Sequence, residues 1–126
     1  MSASPLSGLQ VVDLSRHLPG PLAAHLLADL GARVLKVEEP RRGDPVREAP
    51  PVREGIGALG ALVLSGVESI ALDLKQPQAL AIARREALDQ HAIVAERGFG
   101  LAFRRLELSG KGRLSSRHLH SFAAAT

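Results

Sequence analysis

Two aspartates lie near the ends of apolar segments, where a carboxylate could take part in chemistry. Asp13 lies near the end of the run Leu9–Leu14, and Asp73 ends a run that begins at Ser69. A carboxylate at a strand end can face a ligand and act as a nucleophile. More often it accepts a hydrogen bond from a turn or a helix start. We therefore expect structural roles for both and assign no catalytic residue.

A charged loop is predicted over residues 39–58, which contain four prolines and three glycines. Its charged side chains include Arg41, Arg42, Asp44, Arg47, Glu48, Arg53 and Glu54. Open α/β sheets bind ligands beyond the carboxyl ends of their strands. This loop is therefore either one edge of a site or a mobile surface segment.

A strand–helix–strand unit positions these groups. The apolar runs Leu9–Leu14 and Val34–Val37 predict two strands, and a helix over 22–30 is predicted between them, with Pro21 in its first turn and Gly31 past its end. The leucines of this helix recur on one face: Leu22, Leu26, Leu27 and Leu30. A unit of this length closes most simply as a right-handed parallel crossover.

The later segments continue the alternation of strands and helices. Residues 58–65 favour a helical turn, Ser69–Asp73 a third strand, 77–88 a helix and His91–Ala95 a fourth strand. In the 77–88 helix, one face carries Leu80, Ala83, Ala87 and Leu88. Residues 1–100 are thus predicted to have an α/β fold, a Rossmann-like, mainly parallel sheet with flanking helices. No G-x-G-x-x-G follows the first strand, so dinucleotide binding is not supported.

Residues 101–126 are predicted to be a basic tail of uncertain structure. A short amphipathic helix over 101–108 and a last strand over 118–123 are the favoured elements. Six cations lie in the last thirty residues against one acid, Glu107. No Trp or Tyr is interleaved, so we expect a solvated basic face and no nucleic-acid partner.

Composition excludes several kinds of site. The 126 residues include no cysteine, which rules out disulfides and thiolate chemistry. Five histidines show no metal-ligand spacing, and His118 and His120 lack an evident third ligand, so no metal is predicted. No apolar run is long enough to cross a bilayer and no secretory leader is evident, so we expect no membrane association and a cytoplasmic protein.

Four sequence blocks resemble the opening of family III coenzyme A (CoA) transferases, the group that includes formyl-CoA and carnitine CoA-transferases and 2-methylacyl-CoA racemases. The blocks are PLSGLQVVDLSRHLPGP, LLADLGARVLKVEEP, RRGDPVR and SIALDLKQP, and the similarity runs from Pro5 to Glu96. The four blocks occur in the family's order, which makes the set specific.

The resemblance implies that an acyl-CoA thioester is the substrate and that CoA lies against the carboxyl ends of the first strands, with Glu39–Arg42 nearby. Matching positions give these candidate CoA contacts: Arg16, His17, Leu18, Leu72, Lys75 and, more loosely, Arg97. Arg16 and Lys75 could form charge-assisted hydrogen bonds with phosphates. Leu18 and Leu72 could flank the adenine.

Three departures from the family pattern shape the expectation. Gly66–Ser69 has Glu68 where a basic run is usual, and Glu96–Phe99 replaces the usual Glu-Asn-Phe turn. The family's catalytic residues lie downstream of Thr126. We therefore expect a truncated CoA-binding portion that is inactive alone, incomplete relative to the family and paired with a second copy or another chain that covers its sheet. The alternative is a non-catalytic binding or partner subunit, and transferase and racemase both remain open.

Overall fold

The computed structural model describes residues 4–88, 93–96 and 102–105. Four strands form a parallel sheet: β1 (Gln10–Asp13), β2 (Arg33–Glu38), β5 (Glu68–Ala71) and β6 (Ile93–Glu96). A fifth strand, β7 (Ala102–Arg105), pairs antiparallel with β6, and the order across the sheet is β5-β2-β1-β6-β7. Taken in chain order, the parallel strands have the 3-2-1-4 arrangement of a Rossmann half, so the predicted fold class is confirmed.

Three α-helices and a small hairpin complete the described chain. The helices are α1 (Pro19–Asp29), α2 (Ala58–Val63) and α3 (Pro77–Leu88). Between β2 and α2 lie a 3₁₀ helix (Pro45–Glu48) and an antiparallel hairpin of β3 (Val52–Arg53) and β4 (Ile56–Gly57). The predicted loop over 39–58 thus contains short regular elements that sequence periodicity cannot detect. Among the described residues, no helix has the length and apolar character needed to cross a membrane.

Helix α1 begins one turn earlier than predicted, because Pro19 occupies its first position and fixes φ there. It ends as expected before Gly31, whose φ of 97° is left-handed. The side that packs on the sheet carries Gly20 and Ala24, and of the four leucines predicted to share one face only Leu27 packs there. Gly20 lies so close to the β1 loop that an added Cβ would be 2.0 Å from the Ser15 Oγ atom. Small residues let the helix approach the sheet, and Leu22, Leu26 and Leu30 remain 38–55% exposed.

The two faces of the sheet have separate apolar clusters. On the α1 face, Val11 and Val34 pack with Ala24 and Ala32. On the opposite face, Val12 and Val37 pack with partly buried side chains that include Leu72. The antiparallel strand at Ala102–Arg105 contradicts the short helix predicted over 101–108; its pairing with β6 is a contact that local sequence does not encode. The strand predicted over 118–123 lies outside the described residues.

Candidate functional site

A pocket of about 440 Å³ lies at the carboxyl ends of β1, β2 and β5. Its walls come from the segments that leave these three strands, and the lining residues are Leu14–Arg16, Lys36–Glu39, Gly43, Asp44 and Leu72–Lys75. This is the edge at which open parallel sheets bind ligands.

A buried ion cluster forms the floor of the pocket. Asp13 and Lys36 are register partners in β1 and β2, and the Lys36 Nζ atom lies 3.1 Å from the Asp13 Oδ2 atom. The same ammonium group is 2.8 Å from the Asp44 Oδ2 atom and donates to the Ser15 carbonyl at 2.9 Å. All three ionic side chains are at most 1% exposed. The ammonium group therefore donates two hydrogen bonds, to Asp13 and to the Ser15 carbonyl, and forms an ion pair with the Asp44 Oδ2 atom, which has no hydrogen-bond partner among the described residues.

Both carboxylates of this cluster also accept backbone hydrogen bonds. The Asp13 Oδ1 atom accepts from the Ser15 N–H at 2.8 Å and from the Ser15 hydroxyl. The Asp44 Oδ1 atom accepts from the N–H groups of His17, at 3.0 Å, and Val46, at 2.9 Å. Two carboxylates can share one ammonium group because these donors also stabilise their charge.

A second ion pair holds the pocket wall behind Glu38. The Glu38 carboxylate accepts from the Arg47 Nε atom at 2.8 Å and from the Asp44 N–H at 2.8 Å, and it also contacts the Ser69 hydroxyl. The hydrogen bonds from Arg47 are the largest cause that lowers the pKa of Glu38 to about 2, against the opposing effect of burial. Glu38 is thus charged at neutral pH, and it joins β2 to the following loop and to β5.

The exposed part of the lining carries two cations and two carboxylates. Within the described residues, neither Arg16 nor Lys75 forms an ion pair, so both can take an anionic ligand. Glu39 and Asp73 are exposed nearby and accept backbone N–H groups from Arg42 and Lys75. Within the part of the chain that the structure describes, no cluster of three or more His, Asp or Glu side chains has metal-binding geometry.

The structure brings together three of the six predicted contacts. Arg16, Leu72 and Lys75 line the pocket, although they come from two different strand ends. His17 and Leu18 follow Arg16 at the start of α1 and are exposed but do not line the pocket. Arg97 lies outside the described residues. Asp13 and Asp73 each accept a hydrogen bond from the N–H of the residue two positions later. These are the turn roles that we expected.

Glu68, which stands where the family pattern usually has a basic run, lies outside the pocket lining. Glu68 begins β5, at the amino end of that strand, and it does not line the pocket. Its carboxylate makes two 2.8 Å hydrogen bonds with the exposed guanidinium group of Arg33, which lower the pKa of Glu68. Glu68 therefore adds no negative charge to the lining of this pocket.

Three site residues were missed in the sequence: Lys36, Glu38 and Asp44. A signal was available for Lys36, because it stands between Leu35 and Val37 in a predicted buried strand, where lysine is rare unless paired. Asp44 and Arg47 were noted only as loop charges. Nothing in their spacing indicates that they turn back towards β2.

Comparison with known proteins gives one consistent family. The sequence profile of CoA-transferase family III matches residues 6–97. A succinate–glutarate CoA-transferase from Agrobacterium fabrum is 43% identical over 88 residues, which cover 64% of this chain and 22% of that protein. Human alpha-methylacyl-CoA racemase is 41% identical over 80 residues, covering 64% of this chain and 17% of that protein.

A solved structure agrees with the sequence matches. The CaiB/BaiF family protein from Brucella suis is similar with a TM-score of 0.64 and 36% identity, over 74% of this chain and 26% of that protein. The chain spans about a fifth of the length of the curated relatives it matches.

Proposed function

Because the chain belongs to CoA-transferase family III, we propose that its pocket binds the CoA portion of an acyl-CoA thioester. The observation that carries this proposal is the meeting of Arg16, Leu72 and Lys75 around one pocket at the strand ends. Two cations without carboxylate partners among the described residues, beside an apolar side chain, suit a ligand that joins phosphates to a planar base.

The phosphates are assigned to side chains in this proposal. Pro19 and Pro21 lie in the first turn of α1, and neither has an N–H to donate. The helix amino terminus therefore offers fewer donors than a glycine-rich phosphate loop. We assign the phosphates to Arg16 and Lys75 and one face of the adenine to Leu72.

The remaining contacts are weaker parts of the same proposal. His17 and Leu18 lie beside the mouth of the pocket, with their side chains exposed to a ligand. Arg97 follows β6, whose Ala95 is the register partner of Asp13. We retain all three as candidate contacts that substitution can test.

We further propose that this chain binds CoA without transferring it. A carboxylate nucleophile must reach the thioester carbon with a free oxygen. Asp13 and Asp44 are buried and held by Lys36, while Glu39 and Asp73 accept turn hydrogen bonds at the pocket edge. The two buried carboxylates are therefore not arranged to attack, and the adduct experiment below tests the exposed carboxylates, each of which has one oxygen in a turn hydrogen bond.

Calorimetric titration with CoA tests the binding proposal. Lys75→Ala and Arg16→Ala each remove a charge-assisted hydrogen bond worth about 1.5–3 kcal/mol, so each should weaken binding about ten- to a hundredfold. Arg84→Ala is the matched control, because Arg84 is an exposed arginine on α3 that does not line the pocket. Equal binding by Lys75→Ala and the control would refute the assignment.

Mass spectrometry tests the absence of transfer. After addition of acyl-CoA, the expected mass is that of the unmodified chain. A covalent adduct on Asp13 or Asp73 would mean that the chain is a working enzyme.

A second copy of the chain, or a different chain, is the partner that the exposed leucines of α1 favour. Leu22, Leu26 and Leu30 recur every four residues and stay 38–55% exposed, and contiguous apolar surface of this kind marks interaction sites. This observation also supports the alternative function, a non-catalytic subunit. Sedimentation at several concentrations should show self-association that Leu26→Glu reduces, whereas a monomer at every concentration would exclude the homo-oligomer.

A cytoplasmic location also stays a prediction, which cell fractionation tests.

A further inference from the structure

Asp44 joins three parts of the pocket through one carboxylate. Its Oδ2 atom lies 2.8 Å from the Lys36 Nζ atom of β2, and its Oδ1 atom accepts from Val46 in its own loop and from His17 in the β1 loop. Sequence reasoning gave Asp44 no role beyond that of a charge in a loop. Its side chain is 1% exposed, so it cannot serve as an ordinary surface charge.

The hydrogen bond from the His17 N–H to Asp44 joins two loops, and His17 has an unusual backbone conformation. His17 has a φ of 69°, a left-handed conformation that is uncommon for a residue with a Cβ atom. Left-handed residues other than glycine persist where the surrounding structure holds them. Asp44 provides that hold, because its Oδ1 atom is 3.0 Å from the His17 nitrogen.

We propose that Asp44 is a positioning residue for CoA, which fixes the backbone at His17 and thereby directs the Arg16 side chain into the pocket. The proposal rests on CoA binding as the function of the pocket. Arg16 immediately precedes the constrained residue and lines the pocket. Lys75 lies on the β5 side of the pocket and, within the described residues, forms no hydrogen bond with Asp44. It is therefore the residue with which to compare Arg16.

A double-mutant cycle with CoA as the probe tests the proposal. Asp44→Ala alone should weaken CoA binding about tenfold, because the Arg16 contact is lost with the loop geometry. Adding Arg16→Ala to Asp44→Ala should then weaken binding less than about threefold further, since the two changes remove one contact. In the double variant of Lys75→Ala and Asp44→Ala, the two losses of CoA affinity should multiply to within about twofold, as expected for independent sites. Additive losses with both partners would overturn the proposal, because general destabilisation gives that result.

Amide hydrogen exchange gives a readout that does not depend on CoA. The His17 N–H should be protected in the wild-type chain and lose protection in Asp44→Ala, while the β1 amides at Val11 and Val12 keep theirs. Asp44→Asn retains a carbonyl oxygen and should preserve more of the His17 protection than Asp44→Ala does. An unprotected His17 amide in the wild-type chain would overturn the positioning role. If that amide is protected through Asp44 but the chain fails to bind CoA, the loop contact stands and the CoA function proposed for the pocket is wrong.

Discussion

The buried lysine beneath the pocket gives the sharpest test of how this fold is stabilised. Lys36→Met keeps the length of the side chain and removes its charge. The substitution leaves Asp13 and Asp44, both at most 2% exposed, without the cation that lies within 3.1 Å of each. The three side chains are at most 1% exposed, so solvent screens the loss poorly.

The expected cost follows from the partners that remain. Removing one member of a buried ion pair typically destabilises a protein by about 3–5 kcal/mol, because an uncompensated charge stays in the core. Here two carboxylates lose their partner, although the N–H groups of Ser15, His17 and Val46 continue to donate to them. We therefore expect Lys36→Met to lower the free energy of unfolding by about 3–5 kcal/mol, a large part of the roughly 5–15 kcal/mol typical of a folded domain.

Urea unfolding followed by circular dichroism measures this change. Arg33→Met is the matched control, because it breaks the ion pair with Glu68, in which both side chains are more than half exposed, and such pairs contribute little. Replacing all three charges, with Lys36→Met, Asp13→Asn and Asp44→Asn together, should restore part of the loss. A loss for Lys36→Met no larger than that of the control would show that the cluster is not the electrostatic core described above.

Three further outcomes are expected. Glu38→Gln should be less stable than wild type above pH 4.5, and the difference in stability should shrink as pH falls towards 2. The reason is that the pKa of Glu38 is lowered from 4.5 to about 2, so its stabilising charge is lost in that range. Urea midpoints across this pH series measure the difference, and a constant difference would contradict the assignment. Gly20→Ala should lose about 1–3 kcal/mol in the same assay, because the new Cβ would overlap the Ser15 side chain, and an unchanged midpoint would mean that α1 can move away. Glu39→Gln should tighten CoA binding in low salt and have less effect in high salt, since it removes a negative charge from the pocket lining; calorimetry at two ionic strengths tests this, and weaker binding would assign Glu39 to the ligand.

The order of strands and helices could be predicted because it depends on short-range sequence patterns, such as apolar runs and prolines. The apolar runs of β1 and β2 and the proline that begins α3 correctly placed those elements. The buried face of α1 could not be read in the same way, because leucines mark an apolar face whether or not it is covered. The close contact of Gly20 with the Ser15 loop excludes larger side chains from the interface, and that contact depends on tertiary structure.

Part of the candidate site could be predicted from the sequence, and part depends on contacts between residues that are distant in the chain. Arg16, Leu72 and Lys75 were identified through family resemblance, which carries spatial information that one sequence lacks. The ion cluster needed the register of β1 on β2, because that register brings Asp13 opposite Lys36. The strand at Ala102–Arg105 was missed for the same reason, since four residues with two arginines fit a helix or a strand equally well until β6 pairs with them.

The alternation of side chains along a strand explains why the loop at 43–47 folds back on the sheet. Asp13, Lys36 and Glu38 lie on one face of the sheet at the carboxyl ends of β1 and β2. Asp44 brings a carboxylate to Lys36, and Arg47 brings a guanidinium group to Glu38, so the loop complements each charge that the strands leave exposed. These contacts favour the interpretation of residues 43–47 as one edge of a site. Because the chain's own charges hold this wall, the binding of CoA proposed above would not require the wall to become ordered.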